Sequence, residues 1–181
     1  MEQKPFSLTK TAVECYKIRQ QGGLLWADIV VDASESAGRI QIASDYGSWE
    51  KYWGSGTVWD CRNCGGNGFK KFLTGLDIHY AAGKFGEGRW FNQEATINGL
   101  KKSVKEYDGT KREKGVMVNE IASLEYCMNQ NTFIHMAYDC KTLHKLWDSG
   151  PDIETGISPS FLNFWEKLWP VFINELKKEV G

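Results

Sequence analysis

The pattern that most constrains this chain runs from Leu24 to Trp53. Leu24-Leu25-Trp26-Ala27-Asp28-Ile29-Val30-Val31 is rich in branched and aromatic side chains, which pack well on a pleated surface. Ala33 to Gly38 is small and polar, as a turn requires. Arg39-Ile40-Gln41-Ile42-Ala43-Ser44 then alternates polar and apolar, the period of a half-buried strand. The two runs read as a hairpin. A third strand is expected over Trp49 to Trp53, with Gly47 and Gly54 at its ends. Thr11 to Ile18 fits an earlier strand or a short helix.

Beyond Gly54 the period changes. Gly54 to Gly68 has loop composition, and Asn67 then caps a helix whose apolar positions are Phe69, Phe72, Leu73 and Leu76. Ile78 to Phe85 reads as its continuation, ending at Gly83 and Gly86. A second helix is expected from Asn92, with Glu94 in its first turn and Ile97, Leu100 and Val104 on one face, stopping before Asp108-Gly109. Val118, Ile121, Leu124 and Met128 predict a helix from Val116 to Met128. Phe133 to Tyr138 suits strand or helix, and Thr142 to Trp147 a short helix. After Pro159 and Ser160, the residues Phe161, Trp165, Leu168, Phe172 and Leu176 form one apolar face, widened by Phe164, Trp169 and Ile173. Pro170 should kink this last helix without ending it. The expected fold class is α+β: an antiparallel β-sheet in the N-terminal third, packed by helices from the C-terminal two thirds. With 181 residues and no repeat or linker, one domain over residues 1–181 is expected.

Eight Trp, nine Phe and seven Tyr point to a stiff aromatic core. The charges, 22 basic against 23 acidic, exclude a generally basic nucleic-acid binder and a strongly acidic DNA mimic. Residues 1–10 lack the apolar centre of a secretory signal, and no run is apolar enough to span a bilayer, so a cytoplasmic protein is expected. The five cysteines, an odd number without regular spacing, fit reduced thiols.

The sharpest local motif is Cys61-Arg62-Asn63-Cys64-Gly65-Gly66. Two thiolates at this spacing can turn around one face of a tetrahedral zinc ion, but a structural site needs two more ligands. Cys127, Cys140, His79, His135 or His144 would have to supply them through the fold. A Gly-rich loop with two free thiols is the simpler reading, and no cofactor is expected. A thioredoxin-like role is disfavoured because the motif does not open a helix after a strand. The three histidines belong to no metalloprotease, nucleophile-elbow or nucleotide-binding motif, and Gly83-x-x-Gly86-x-Gly88 is not a dinucleotide fingerprint. No catalytic residue is assigned.

Tyr46, Trp49, Tyr52, Trp53 and Trp59 could stack on unpaired bases, but only Lys51 lies among them, beside Asp45, Glu50 and Asp60, so core packing is the better reading. From Asp60 to Lys114 there are eleven basic and seven acidic residues, a surplus absent elsewhere. Its densest part, Lys101, Lys102, Lys105, Lys111, Arg112 and Lys114, is the candidate partner-binding segment, for phosphate or an acidic protein face. A solvated helix end is the plainer alternative.

Ile42-Ala43-Ser44-Asp45-Tyr46-Gly47-Ser48-Trp49, then Tyr52-Trp53-Gly54 and Phe69-Lys70-Lys71-Phe72-Leu73, resembles a class of uncharacterised phage and prophage proteins. These pair a Ser-Asp-Tyr-Gly-aromatic strand with a Phe/Leu-rich helix. Trp169-Pro170-x-Phe172-Ile173-x-Glu175-Leu176 is similar to their ending. The resemblance covers about a third of the chain and carries no active-site residues; the Cys61 to Gly66 segment looks like an addition to it. It implies a mobile-element origin and a bacterial host cytoplasm. Small proteins of this kind often bind a host machine, as anti-CRISPR and other anti-defence inhibitors do. The expected partner is therefore a host protein or ribonucleoprotein complex. The alternatives are a nucleic-acid-binding accessory protein and an enzyme whose site is scattered through the sequence.

Overall fold

The computed structural model describes residues 8, 10, 12–33, 37–54 and 68–181. The Cys61–Cys64 motif and Trp59 lie outside the described residues. In chain order the strands are β1 (Glu14–Arg19), β2 (Trp26–Ala33), β3 (Gly38–Ser44), β4 (Gly47–Trp53), β5 (Trp90–Phe91) and β6 (Thr155–Gly156). The helices are α1 (Gly68–Thr74), α2 (Ile78–Phe85), α3 (Gln93–Glu106), α4 (Lys111–Leu124), α5 (Gln130–Asp139), α6 (Pro159–Lys167) and α7 (Trp169–Val180), with one 3-10 turn at Leu143–Leu146. The fold class is α+β, as the sequence pattern predicts. The chain groups into two compact units, Met1–Glu87 with Ser158–Gly181, and Gly88–Ile157.

In the first unit, β1 to β4 form an antiparallel meander in sequence order. The register sets Ile29 opposite Ile42 and Ile42 opposite Trp49. Period-2 alternation therefore puts Ala27, Ile29, Val31, Ile40, Ile42, Trp49 and Trp53 on one buried face. The expected hairpin and third strand are present, and the earlier element is a strand over Glu14–Arg19. The Ser-Asp-Tyr-Gly motif is the β3–β4 turn, not strand interior. Ser44 Oγ donates to the Gly47 carbonyl at 3.0 Å and accepts from the Tyr46 amide at 3.2 Å. The Asp45 carboxylate accepts from the Trp26 amide at 2.8 Å, tying the turn to β2. Gly47 has φ of +149°, a conformation that favours glycine.

The buried face meets rings from α1, α2, α6 and α7. Trp49 packs edge-on to Phe161 at 5.2 Å and beside Phe164 at 5.1 Å. Trp53 contacts Phe69, Phe72 and Phe85 at 5.7, 5.6 and 6.1 Å. Both indole N–H groups are satisfied, Trp49 by Glu87 at 2.7 Å and Trp53 by the Tyr80 hydroxyl at 3.3 Å.

Two helix boundaries differ from expectation. α2 does not continue α1: the Asp77 side chain accepts from the Tyr80 amide and starts a new helix, which runs through Gly83 and ends at Gly86. The C-terminal segment is two helices parted at Leu168. Pro170 lacks an N–H and sits in the first turn of α7, where none is required. Trp165 on the same face is only half-buried, stacked on Trp169 at 4.8 Å.

The second unit is helical. The entering strand β5 pairs with the departing β6, Trp90 opposite Gly156 and Phe91 opposite Thr155. Its core includes Ile97, Leu100 and Val104 of α3, Met117, Ile121 and Leu124 of α4, Phe133 and Ala137 of α5, and Leu143. α4 begins at Lys111, earlier than expected, and buries Met117; Val118 and Met128 are exposed. Phe133 to Tyr138 is helical because Asn129 caps α5 through the Thr132 amide. No described helix is long and apolar enough to cross a membrane.

Candidate partner interface

The candidate basic segment straddles the connection between α3 and α4. Lys101, Lys102 and Lys105 ride the last turns of α3, whose opposite face buries Leu100 and Val104. Lys111, Arg112 and Lys114 ride the first turn or so of α4. Thr110 accepts from the Glu113 amide while the Glu113 carboxylate accepts from the Thr110 amide, a reciprocal capping box that fixes where α4 starts. Glu113 also pairs with Lys145 at 2.9 Å. These contacts, Lys145 foremost, hold the Glu113 carboxyl well below its ordinary value, at about 2.

Two of the six cations serve the unit internally. Lys101 pairs with Glu125 at 2.7 Å, and Lys114 Nζ donates to the Lys105 carbonyl at 2.9 Å, filling an acceptor in the last turn of α3. The other four, Lys102, Lys105, Lys111 and Arg112, are exposed and join no ion pair among the described residues. Both helices bring theirs to the same connection, beside the exposed carboxylates Glu106 and Asp108. Cations at the first residues of α4 oppose the helix dipole, so local helix energetics do not account for Lys111 and Arg112. Such an arrangement can neutralise a phosphate or carboxylate surface, and it offers no nucleophile or acid–base pair.

The supplementary zinc ligands are not gathered. His79, His135 and His144 are exposed, and Cys127 and Cys140 are buried in the second unit. Among the described residues no group of three or more His, Cys, Asp and Glu is placed to hold a metal ion. The aromatic strand divides as packing predicts: Trp49 and Trp53 are buried and Tyr52 is exposed.

One polar cluster has no local sequence signal. Lys70 of α1 is nearly buried and reaches Glu14 of β1 and Glu179 of α7, both at 2.6 Å. The Tyr16 hydroxyl lies 2.5 Å from Glu14 and 2.9 Å from Glu179. Bonds from Lys70 and Tyr16 hold the Glu14 carboxyl below its ordinary range. Burial, then bonding to the two carboxylates, pushes the Tyr16 hydroxyl far up. A tyrosine so reluctant to ionise is no acid or base near neutrality, and the cluster clamps three elements together.

A family model described as a phage family matches residues 6–178. No curated protein and no solved structure matches the chain. With nearly its whole length matched, the chain belongs to this phage family.

Proposed function

We propose that the protein is a phage-encoded binding protein that works by occupying a docking surface on a host assembly, with Lys102, Lys105, Lys111 and Arg112 as its contact. The observation that carries this reading is the gathering of those four cations at one capped helical connection. A partner face rich in carboxylate or phosphate complements it. The phage family and the small size favour a host protein or ribonucleoprotein complex in the bacterial cytoplasm. A defence complex such as a CRISPR effector is the finer reading. Inhibition would then be steric.

The test is reversal of Lys102, Lys105 and Lys111 to Glu. Lys101 is left alone because its change would also break the pair with Glu125. Tagged protein in host lysate should retain a discrete complex, identified by mass spectrometry, which the triple variant loses at an unchanged melting temperature. Binding should weaken as salt rises past about 0.15 M, where the screening length is about 8 Å. Retention of naked DNA or RNA instead would favour the nucleic-acid accessory role. A triple variant that keeps every interaction would sink the proposed contact.

A further inference from the structure

An apolar stripe on the exposed side of α4 begins inside the basic cluster. Lys111, Gly115, Val118 and Ala122 fall at i, i+4, i+7 and i+11, so they share one side of the helix, and all four are exposed. Tyr126, four positions beyond Ala122 in the turn after α4, is 85% exposed, and Val118 is 50% exposed. The stripe borders α3. Glu125, seven positions beyond Val118, pairs with Lys101 of α3, and Lys114, four positions before Val118, reaches the Lys105 carbonyl. Gly115 has no internal reason to be glycine. Glycine inside a helix is unfavourable relative to alanine, its φ here is not positive, and a β-carbon would meet nothing within 4 Å. What the missing side chain provides is outward room, which lets a second backbone approach.

We propose that this side of the α3–α4 hairpin docks an acidic amphipathic helix of a partner protein, its carboxylates against Lys105 and Lys111 and its apolar side along Gly115, Val118 and Ala122. The inference rests on the reading of the basic cluster as the partner contact, and names what that partner presents. Charge complementarity sets the acidic end, because the exposed cations at the connection run into the stripe through Lys111. The stripe itself favours protein over nucleic acid, since a phosphate backbone buries nothing apolar against Val118 and Ala122. Backbone hydrogen bonding sets the secondary structure. α4 spends its amides and carbonyls within the helix and offers no edge to an incoming strand, whereas a helix satisfies its own and needs only side-chain contact. Lys111 to Tyr126 spans about 22 Å, the length of a helix of about 15 residues. Acids complement the dipole in a helix's first turn, so the partner helix starts over the α3–α4 connection and runs alongside α4.

The experiment follows the fluorescence anisotropy of a labelled synthetic peptide of about 16 residues, with Glu in its first turns and Leu at i, i+4, i+7 and i+11. A second peptide of the same composition scatters the Leu around the helix. The full-length protein should bind the first about tenfold tighter than the second, and tighter than single-stranded DNA of equal charge. Gly115→Leu fills the outward room with a good helix former, so it should not lower the melting temperature while weakening peptide binding by about tenfold or more. Val118→Glu should weaken binding similarly, and reversal of Lys102, Lys105 and Lys111 to Glu should abolish it. A triple variant that still binds the peptide sinks the cation contact and this inference with it. Loss in the triple variant, with both peptides bound equally or with Gly115→Leu binding as tightly as the parent, overturns the docked helix alone and leaves the cation contact standing. The docked helix is likewise overturned if DNA binds more tightly than the first peptide, or if neither peptide binds.

Discussion

Gly38 lets the ring of Phe69 lie directly against the backbone of β3, and a β-carbon at that position would overlap the ring. Phe69 is fully buried and cannot swing aside. Gly38→Ala should cost about 1–3 kcal/mol, the usual range for overpacking, as measured by urea denaturation. The C-terminal face supplies the converse. Phe161 is fully buried against Trp49, so Phe161→Ala should cost about 3–5 kcal/mol. Half-buried Trp165 should cost distinctly less when truncated, and equal losses would refute this ranking. Alternation along β2 to β4 makes Trp49 and Trp53 legible as core from sequence alone. Nothing local separates Phe161 from Trp165, because both fall on the apolar stripe and the difference lies in what each meets.

At the scale of elements, helix starts decide where the candidate contact residues point. The spacing of Thr110 and Glu113 is a capping-box signal, and it places α4 several residues before its apolar rhythm becomes visible at Val116. The apolar rhythm alone therefore leaves Lys111 and Arg112 in a loop, although they belong to a helix. Thr110→Ala should lower stability by about 1 kcal/mol and fray this turn, visible as faster amide exchange from Lys111 to Lys114. Glu113 adds a pH dependence. Its folded value near 2 lies below the ordinary 4.5, so its contribution is complete above about pH 4.5 and is lost as the pH falls towards 2. Glu14 is shifted the same way and adds to the acid loss. Glu113→Gln should flatten the fall in melting temperature over that window; an unchanged slope would show that the capping and ion-pair contacts are not maintained in solution. The basic cluster itself is legible as composition. Which four cations remain uncommitted is not, since Glu125 and the Lys105 carbonyl reach their partners only through the helix pairing.

At the scale of the whole molecule, the first unit is built from both ends of the chain, and the second is one continuous stretch between Glu87 and Ser158. The Ser158 amide donates to the Glu87 carbonyl at 3.0 Å where the chain leaves and rejoins the first unit. Lys70, Glu14 and Glu179 repeat the theme, joining a strand, a helix and the final helix across most of the sequence. Lys70→Ala would leave two facing carboxylates at a nearly buried position. Because both carboxylates keep some solvent, the loss should fall near 2 kcal/mol, between an exposed and a fully buried broken pair. Thermal melts at neutral pH should show that loss, and adding Glu14→Gln and Glu179→Gln should recover part of it. No recovery would mean that repulsion between the carboxylates is not its source.

The order of synthesis gives that arrangement a cost in time. At about 5–20 residues per second, the ribosome finishes Trp53 on the order of 5–20 s before it delivers Phe161. During that interval the inner face of the sheet carries Ile29, Ile42, Trp49 and Trp53 without the rings of Phe161 and Phe164 that later lie against Trp49. Nascent chains thus keep Trp49 uncovered until α6 emerges. A chain cut short before Ser158 would lack α6 and α7 altogether and leave Trp49 without the rings that cover it, a substrate for chaperones and proteases.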